Sequence, residues 1–83
     1  MNTPDRIRAI LRDALHLGAR ADSLTAGSQL LGAIPELDSM AVVTILTMVE
    51  EEFDMTIADD EVSADAFATL QSLSDFVDAK LAD

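Results

Sequence analysis

The chain contains no cysteine. It therefore has no disulfide to staple a small fold, no thiolate metal site and no thiol nucleophile of its own. Tryptophan and tyrosine are also absent, and Phe53, Phe67 and Phe76 are the only aromatic side chains. Histidine occurs once, as His16. A lone histidine with no companion ligand nearby reads as a surface residue, so no metal or catalytic role is expected of it. No glycine-rich loop is present to cradle a phosphate. Cations are scarce: five Lys and Arg stand against sixteen Asp and Glu, a net charge of −11. That balance excludes nucleic acid as a partner, because a phosphate backbone repels an acidic surface. No apolar run is long enough to span a bilayer, and Thr3-Pro4-Asp5 opens the chain without the apolar stretch of a secretory signal. The expectation is a cytoplasmic protein with no membrane partner.

What remains is an apolar and lopsided chain. Its 83 residues are 49% hydrophobic, enough for one small core without cross-links if helices pack well. A single domain over residues 1–83 is expected. Residues 1–35 hold four arginines and three aspartates, a net charge of +1, whereas residues 36–83 hold thirteen acids and only Lys80, a net charge of −12. Such polarity favours steering toward basic protein surfaces.

Periodicity predicts helices throughout. Thr3 is a good N-cap, Pro4 suits the first helical position, and Ile7, Ile10, Leu11, Ala14 and Leu15 form one apolar stripe. Gly18 is the natural stop. Residues 19–38 then form a long connection, with Leu24, Leu30, Leu31, Ile34 and Leu37 as anchors and a short helical turn expected near Ser28–Leu31. A second helix is predicted over 39–53. Its β-branched run Val42-Val43-Thr44-Ile45 leans toward strand, but Val42, Ile45, Leu46, Val49 and Phe53 repeat at helical spacing. Met40, Val43 and Met48 fall off that stripe, either as a wide core face or as an exposed contact surface. Short turns are expected near Asp59 and around Ala66–Ala68, the latter capped by Ser63 or Asp65, with Phe67 buried. Thr69 caps a last helix from Leu70 to Leu81, whose apolar face is Leu70, Leu73, Phe76, Val77 and Leu81. The fold class is all-α: a small bundle of three main helices plus one or two short helical turns.

Independent catalysis is not expected. Asp59 and Asp60 are adjacent, so on a helix they point different ways. The run Asp59-Asp60-Glu61 lacks the spacing of a calcium loop. Spacing alone leaves a Ser-His-Asp site open, but a bundle this small offers no cleft for one. The stretch with a chemical suggestion is Leu37-Asp38-Ser39-Met40. A serine at a helix start lies among free N–H groups and positive potential, where a phosphate ester is favoured. The plainer alternative is that Asp38 or Ser39 serves only as the N-cap.

Asp38-Ser39-Met40, the apolar helix after it, Glu50-Glu51-Glu52-Phe53-Asp54 and Ile57 together resemble the acyl carrier protein family. They are similar to that family's Asp-Ser-Leu motif and following helix, and Phe67-Ala68-Thr69-Leu70 with Leu73, Phe76 and Val77 is similar to its last helix. The resemblance implies a monomeric, non-catalytic carrier. Ser39, next to Asp38, would accept 4′-phosphopantetheine from coenzyme A by way of a separate phosphopantetheinyl transferase. The arm would then carry acyl groups as thioesters. It also implies partner enzymes with basic patches, docked by Met40, Val43 and Glu50, with Asp59, Asp60 and Glu61 nearby. No metal site is implied. Three features depart from fatty-acid-type carriers. Ala41 and Thr44 stand where acids are usual, Glu36 replaces a glycine three before the serine, and the link around 58–68 is longer. They point to a carrier for a specialised pathway, whether fatty-acid-like, polyketide or another biosynthetic one. The alternatives are an aminoacyl or peptidyl carrier of the same superfamily, and a helical interaction module without a cofactor.

Overall fold

The computed structural model describes residues 2–58 and 61–82. Its three α-helices are α1 (Thr3–Leu15), α2 (Ser39–Phe53) and α3 (Leu70–Ala82), with 3-10 turns at Gly18–Ser23 and Ala64–Phe67. The all-α bundle expected from periodicity is the fold observed. Among the described residues the only strand-like feature is an isolated antiparallel bridge between Gln29 and Thr69. The turn expected near Asp59 lies outside the described residues.

Helix α1 starts one residue earlier than its sequence suggests. Asn2, not Thr3, is the N-cap: its side chain accepts the Asp5 N–H at 3.0 Å. Asn caps at least as well as Thr, and Pro4 is tolerated anywhere in the first turn because those N–H groups have no helical partner. The Thr3 hydroxyl is thereby released and donates to Asp78 on α3 at 2.6 Å. The helix also ends earlier than expected. His16 takes a left-handed conformation (φ 56°, ψ 42°) and donates its N–H to the Arg12 carbonyl. Stopping there lets Leu17 turn into the core, where it is 5% exposed, and Gly18 (φ 58°) continues the bend. The stripe Ile7, Ile10, Leu11 and Leu15 is buried as expected.

The long connection is ordered by its neighbours. The helical turn forms at Gly18–Ser23 rather than near Ser28–Leu31. Ala21 anchors it, with almost no exposed surface. The stretch expected to coil instead runs alongside the start of α3. Leu30 and Leu31 donate to Ala68 and Phe67, while Leu70 and Gln71 donate to Ser28 and Ala26. Two N–H groups that a helix start leaves unpaired thus find loop carbonyls, an exchange that a local helical turn at 28–31 would forgo. Leu30, Ile34 and Leu37 are buried, and Leu24 partly so. Leu31, expected as an anchor, is 43% exposed, because pairing with Phe67 turns it outward.

Helix α2 has the predicted limits. Ile45, Val49 and Phe53 are buried, with Val42 and Leu46 packed against the same core. Packing on α1 overrides the strand preference of the β-branched run, as tertiary contacts commonly do. The open question over its other apolar residues resolves unevenly: Met48 packs against the core, whereas Met40 and Val43 are exposed. In α3, Thr69 is the expected cap. Its hydroxyl accepts the Ser72 N–H and the Ser72 hydroxyl accepts the Thr69 N–H, both at 3.0 Å. The buried face is Leu70, Leu73, Ser74 and Val77. Leu81, expected inside, is 47% exposed, and Ser74 is inside instead, its hydroxyl satisfied by the Leu70 carbonyl at 2.9 Å. Phe67 is buried as predicted.

The ends of the helices show how they are arranged. Arg6 on the first turns of α1 donates to both the Glu52 carboxylate and the Glu52 carbonyl, and stacks 4.1 Å from the Phe53 ring centroid at the end of α2. Thr3 reaches the end of α3 in the same way. Both α2 and α3 therefore run opposite to α1. The start of α2, with Ser39, lies at the pole where α1 ends and the first 3-10 turn begins.

Ile45→Ala deletes a side chain with no exposed surface and should destabilise by about 2–5 kcal/mol. Met40→Ala, at 80% exposure, should stay within about 0.5 kcal/mol. Urea unfolding of the two variants checks the assignment of faces on α2.

Candidate functional site

The start of α2 separates two roles that the sequence leaves superposed. Asp38 is extended (φ −115°, ψ −173°) and is the N-cap: its Oδ1 accepts the Ala41 N–H at 2.8 Å, and its carbonyl accepts the Val42 N–H at 2.9 Å. Ser39 is the first helical residue and is exposed. Among the described residues its hydroxyl makes no hydrogen bond. It is a primary alcohol at a helix N-terminus, free of structural duty, beside a carboxylate that already has a donor. The Ser39 and Met40 N–H groups likewise have no protein acceptor among the described residues, and they add to the positive end of the helix. An exposed alcohol in that field is chemically suited to hold a phosphodiester.

Ser39 and His16 are not hydrogen-bonded to each other, and among the described residues neither side chain engages an aspartate. An open groove of about 680 Å³ between α1 and α2 has Ala9 and Ile10 on one wall and Met48 and Glu51 on the other. Neither Ser39 nor His16 lines it. Among the described residues no three His, Asp or Glu side chains come together as a metal site. No described helix is long and apolar enough to cross a membrane.

The remaining candidate residues fall into three groups. Met40, next to Ser39, and Val43, one turn on, form an apolar patch, 80% and 63% exposed. Thr44 and Thr47 on the same helix are exposed, but their hydroxyls donate back to the Met40 and Val43 carbonyls at 3.1 and 3.0 Å. Their methyl groups are what the surface presents, and such back-bonding is the usual fate of threonine inside a helix. Glu50 is half-buried, and its carboxylate accepts the Ile57 N–H at 2.7 Å, tying the segment after α2 to the helix. Glu61 is exposed, pairs with Lys80 on α3 and accepts the Ala58 N–H at 3.1 Å. The Lys80 ammonium first, and the Ala58 N–H second, hold its carboxyl below the usual glutamate range. Asp59 and Asp60 lie outside the described residues.

Sequence reasoning noted Glu36 only as a departure from a family pattern, and it missed Arg20. The Arg20 guanidinium grips both Glu36 carboxylate oxygens, with a separation of 3.1 Å between Nη2 and Oε1. The hydrogen bond from Arg20 lowers the Glu36 carboxyl, and the same bond raises the guanidinium in turn. The residues are sixteen apart in sequence, on a turn and a loop, so no periodicity announces the pair.

Comparison with known proteins points one way. A family profile described as a phosphopantetheine attachment site matches residues 5–77. The solution NMR structure of a holo acyl carrier protein from Nitrosomonas europaea superimposes with a TM-score of 0.92, at 54% identity, covering 100% of both chains. A search of curated proteins returned no match.

Removing the cap and removing the alcohol should have opposite structural outcomes. Asp38→Ala should cost about 1 kcal/mol of stability, the usual loss on deleting a side-chain cap. Ser39→Ala should stay within about 0.5 kcal/mol, as for an exposed residue without partners. Thermal and urea unfolding of both variants test this.

Proposed function

The chain belongs to the acyl carrier proteins of the phosphopantetheine attachment-site family, and on that footing we propose that Ser39 is where its 4′-phosphopantetheine arm is attached. Proteins of this family are non-catalytic carriers modified by a separate transferase. The observation that carries the assignment to Ser39 is that Asp38 alone caps α2, which leaves the Ser39 hydroxyl free to react. In the transfer, Ser39 Oγ forms a bond to the pantetheine-bearing phosphorus of coenzyme A. The bond from that phosphorus to the nucleotide breaks, 3′,5′-ADP leaves, and the hydroxyl proton passes to the transferase. The bound arm supplies the thiol that this cysteine-free chain lacks, and acyl groups travel on it as thioesters. Asp38 keeps the first turn of α2 wound while its neighbour is modified, and the helix N-terminus opposes the negative charge of the new phosphodiester.

Within this reading the chain works as a monomer in the cytoplasm, a single carrier domain over residues 1–83. It docks its partners through the outer face of α2 and the acids beyond: Met40, Val43, Glu50, Asp59, Asp60 and Glu61. Its pathway is a specialised one, fatty-acid-like, polyketide or another biosynthetic route. What supports this is the apolar character of α2 beside Ser39. Met40 and Val43 are exposed, Ala41 is uncharged, and the Thr44 hydroxyl is turned back onto its own helix. A face with few charges steers weakly toward basic patches and relies on apolar fit, which is specific to a partner.

Incubation with coenzyme A and a broad-specificity phosphopantetheinyl transferase should add one arm to the wild type and none to a folded Ser39→Ala, read by intact mass. Labelling that persists in Ser39→Ala would move the site elsewhere. The pathway assignment has its own test. With a reconstituted fatty-acid synthase, the holo wild type should turn over more slowly than its Ala41→Asp/Thr44→Glu variant, in which acids are restored. Equal turnover would remove the specialisation and leave the carrier assignment standing.

A further inference from the structure

Between α1 and α2 one unbroken chain of polar contacts leads from the first 3-10 turn to Ser39. The turn is rigidly seated: Leu17 and Ala21 are buried, the Arg20 N–H donates to the Leu17 carbonyl, and the Arg20 carbonyl accepts the Ser23 hydroxyl. From this base Arg20 holds the Glu36 carboxylate at both oxygens. The Glu36 carbonyl in turn accepts the Asp38 N–H at 3.1 Å. Asp38 then caps α2 through Ala41, and Ser39 follows directly. Glu36 thus acts twice, with its side chain on the turn and its backbone on the residue before Ser39. Pro35 and Glu36 form an exposed span between two buried anchors, Ile34 and Leu37. The Leu37 N–H donates to the Ile34 carbonyl at 3.0 Å and closes the span as a turn, and among the described residues the ion pair is the side-chain tie added to it.

We infer that the Arg20–Glu36 ion pair is a positioning device for the modification of Ser39, holding the approach to α2 in the conformation that the transferase recognises. This rests on Ser39 being the attachment site. Arg20 and Glu36 take no part in the phosphoryl transfer and act only through the Glu36 carbonyl and Asp38. Exposed loop segments open at little free-energy cost, so even a pair of modest strength alters how often the span is in place. A fall in the competent fraction raises the apparent KM and leaves kcat unchanged once the complex has formed.

The test uses the full-length apo protein with coenzyme A and the transferase, and compares Arg20→Ala, Glu36→Ala and the charge swap Arg20→Glu/Glu36→Arg. In both single variants, amide hydrogen exchange at Leu37 and Asp38 should quicken roughly twofold to fivefold, the range open to an exposed pair. Exchange at Ile45 and Val49 should not change. The KM for the carrier should rise by a similar factor at constant kcat, and the charge swap should restore both exchange and KM. Three results overturn the inference. One is unchanged exchange at Leu37 and Asp38 in both single variants. Another is equal acceleration at Ile45 and Val49, which means general loosening. The third is a charge swap that restores exchange but not KM, which means that the transferase touches Arg20 or Glu36 directly. Failure of the attachment reading shows separately, as labelling of Ser39→Ala, and leaves the exchange result intact.

Discussion

Burial of the α1 stripe is the constraint on which the rest of the molecule depends. Ile7 and Leu11 have no exposed surface, and Ile10 and Leu15 have almost none. Helices α2 and α3 both pack against α1 and both run opposite to it. A chain this short buries a smaller fraction of its surface than a larger domain does, so it cannot leave an apolar face of its central helix uncovered. The link between α1 and α2 contributes for the same reason. Leu17, Ala21, Leu30, Ile34 and Leu37 all reach the core, and the segment between them is extended or tightly turned as those anchors require.

Charge is distributed with similar economy. Each of the five cationic side chains is in an ion pair: Arg6 with Glu52, Arg8 with Asp5, Arg12 with Asp13, Arg20 with Glu36 and Lys80 with Glu61. Three of these join segments far apart in sequence. Isolated surface pairs contribute little to stability, and their importance here is geometric. They fasten the end of α2, the approach to Ser39 and the segment after α2. With all five engaged in this way, the net charge of −11 is an excess of acids over cations rather than a set of unpaired cations.

At the head of α2 the structure gives the cap to Asp38 and leaves its neighbour Ser39, the proposed attachment site, out of it. A serine that capped its own helix would have its oxygen engaged by a backbone N–H, and modification would uncap the helix. Asp38 takes the capping bond, so Ser39 can gain or lose a substituent without cost to the helix. The exposed Met40 follows Ser39 directly and the exposed Val43 lies one turn on, close to any arm that Ser39 bears.

Much of this was legible in the sequence. The limits of α2, the stripe of α1, the Thr69 cap and the burial of Phe67 followed from helical period and capping chemistry, which act over four or five residues and leave their mark locally. Asp38-Ser39-Met40 stood out for the same reason, and the family resemblance drew on that spacing. Other features were decided only by tertiary structure. Asp38 and Ser39 are both good caps, and the backbone angle of Asp38 chose between them. Leu31 and Leu81 carry the apolar pattern yet lie outside, while Ser74 lies inside, because the position of a neighbouring segment sets which residues of a face are covered. The pairing of residues 26–31 with the start of α3 depends on a backbone some forty positions away. The Arg20–Glu36 pair joins two loops with no periodicity between them. Local hydrogen-bonding preferences are written in neighbouring residues, whereas contacts across loops arise only when the hydrophobic core has brought distant segments together.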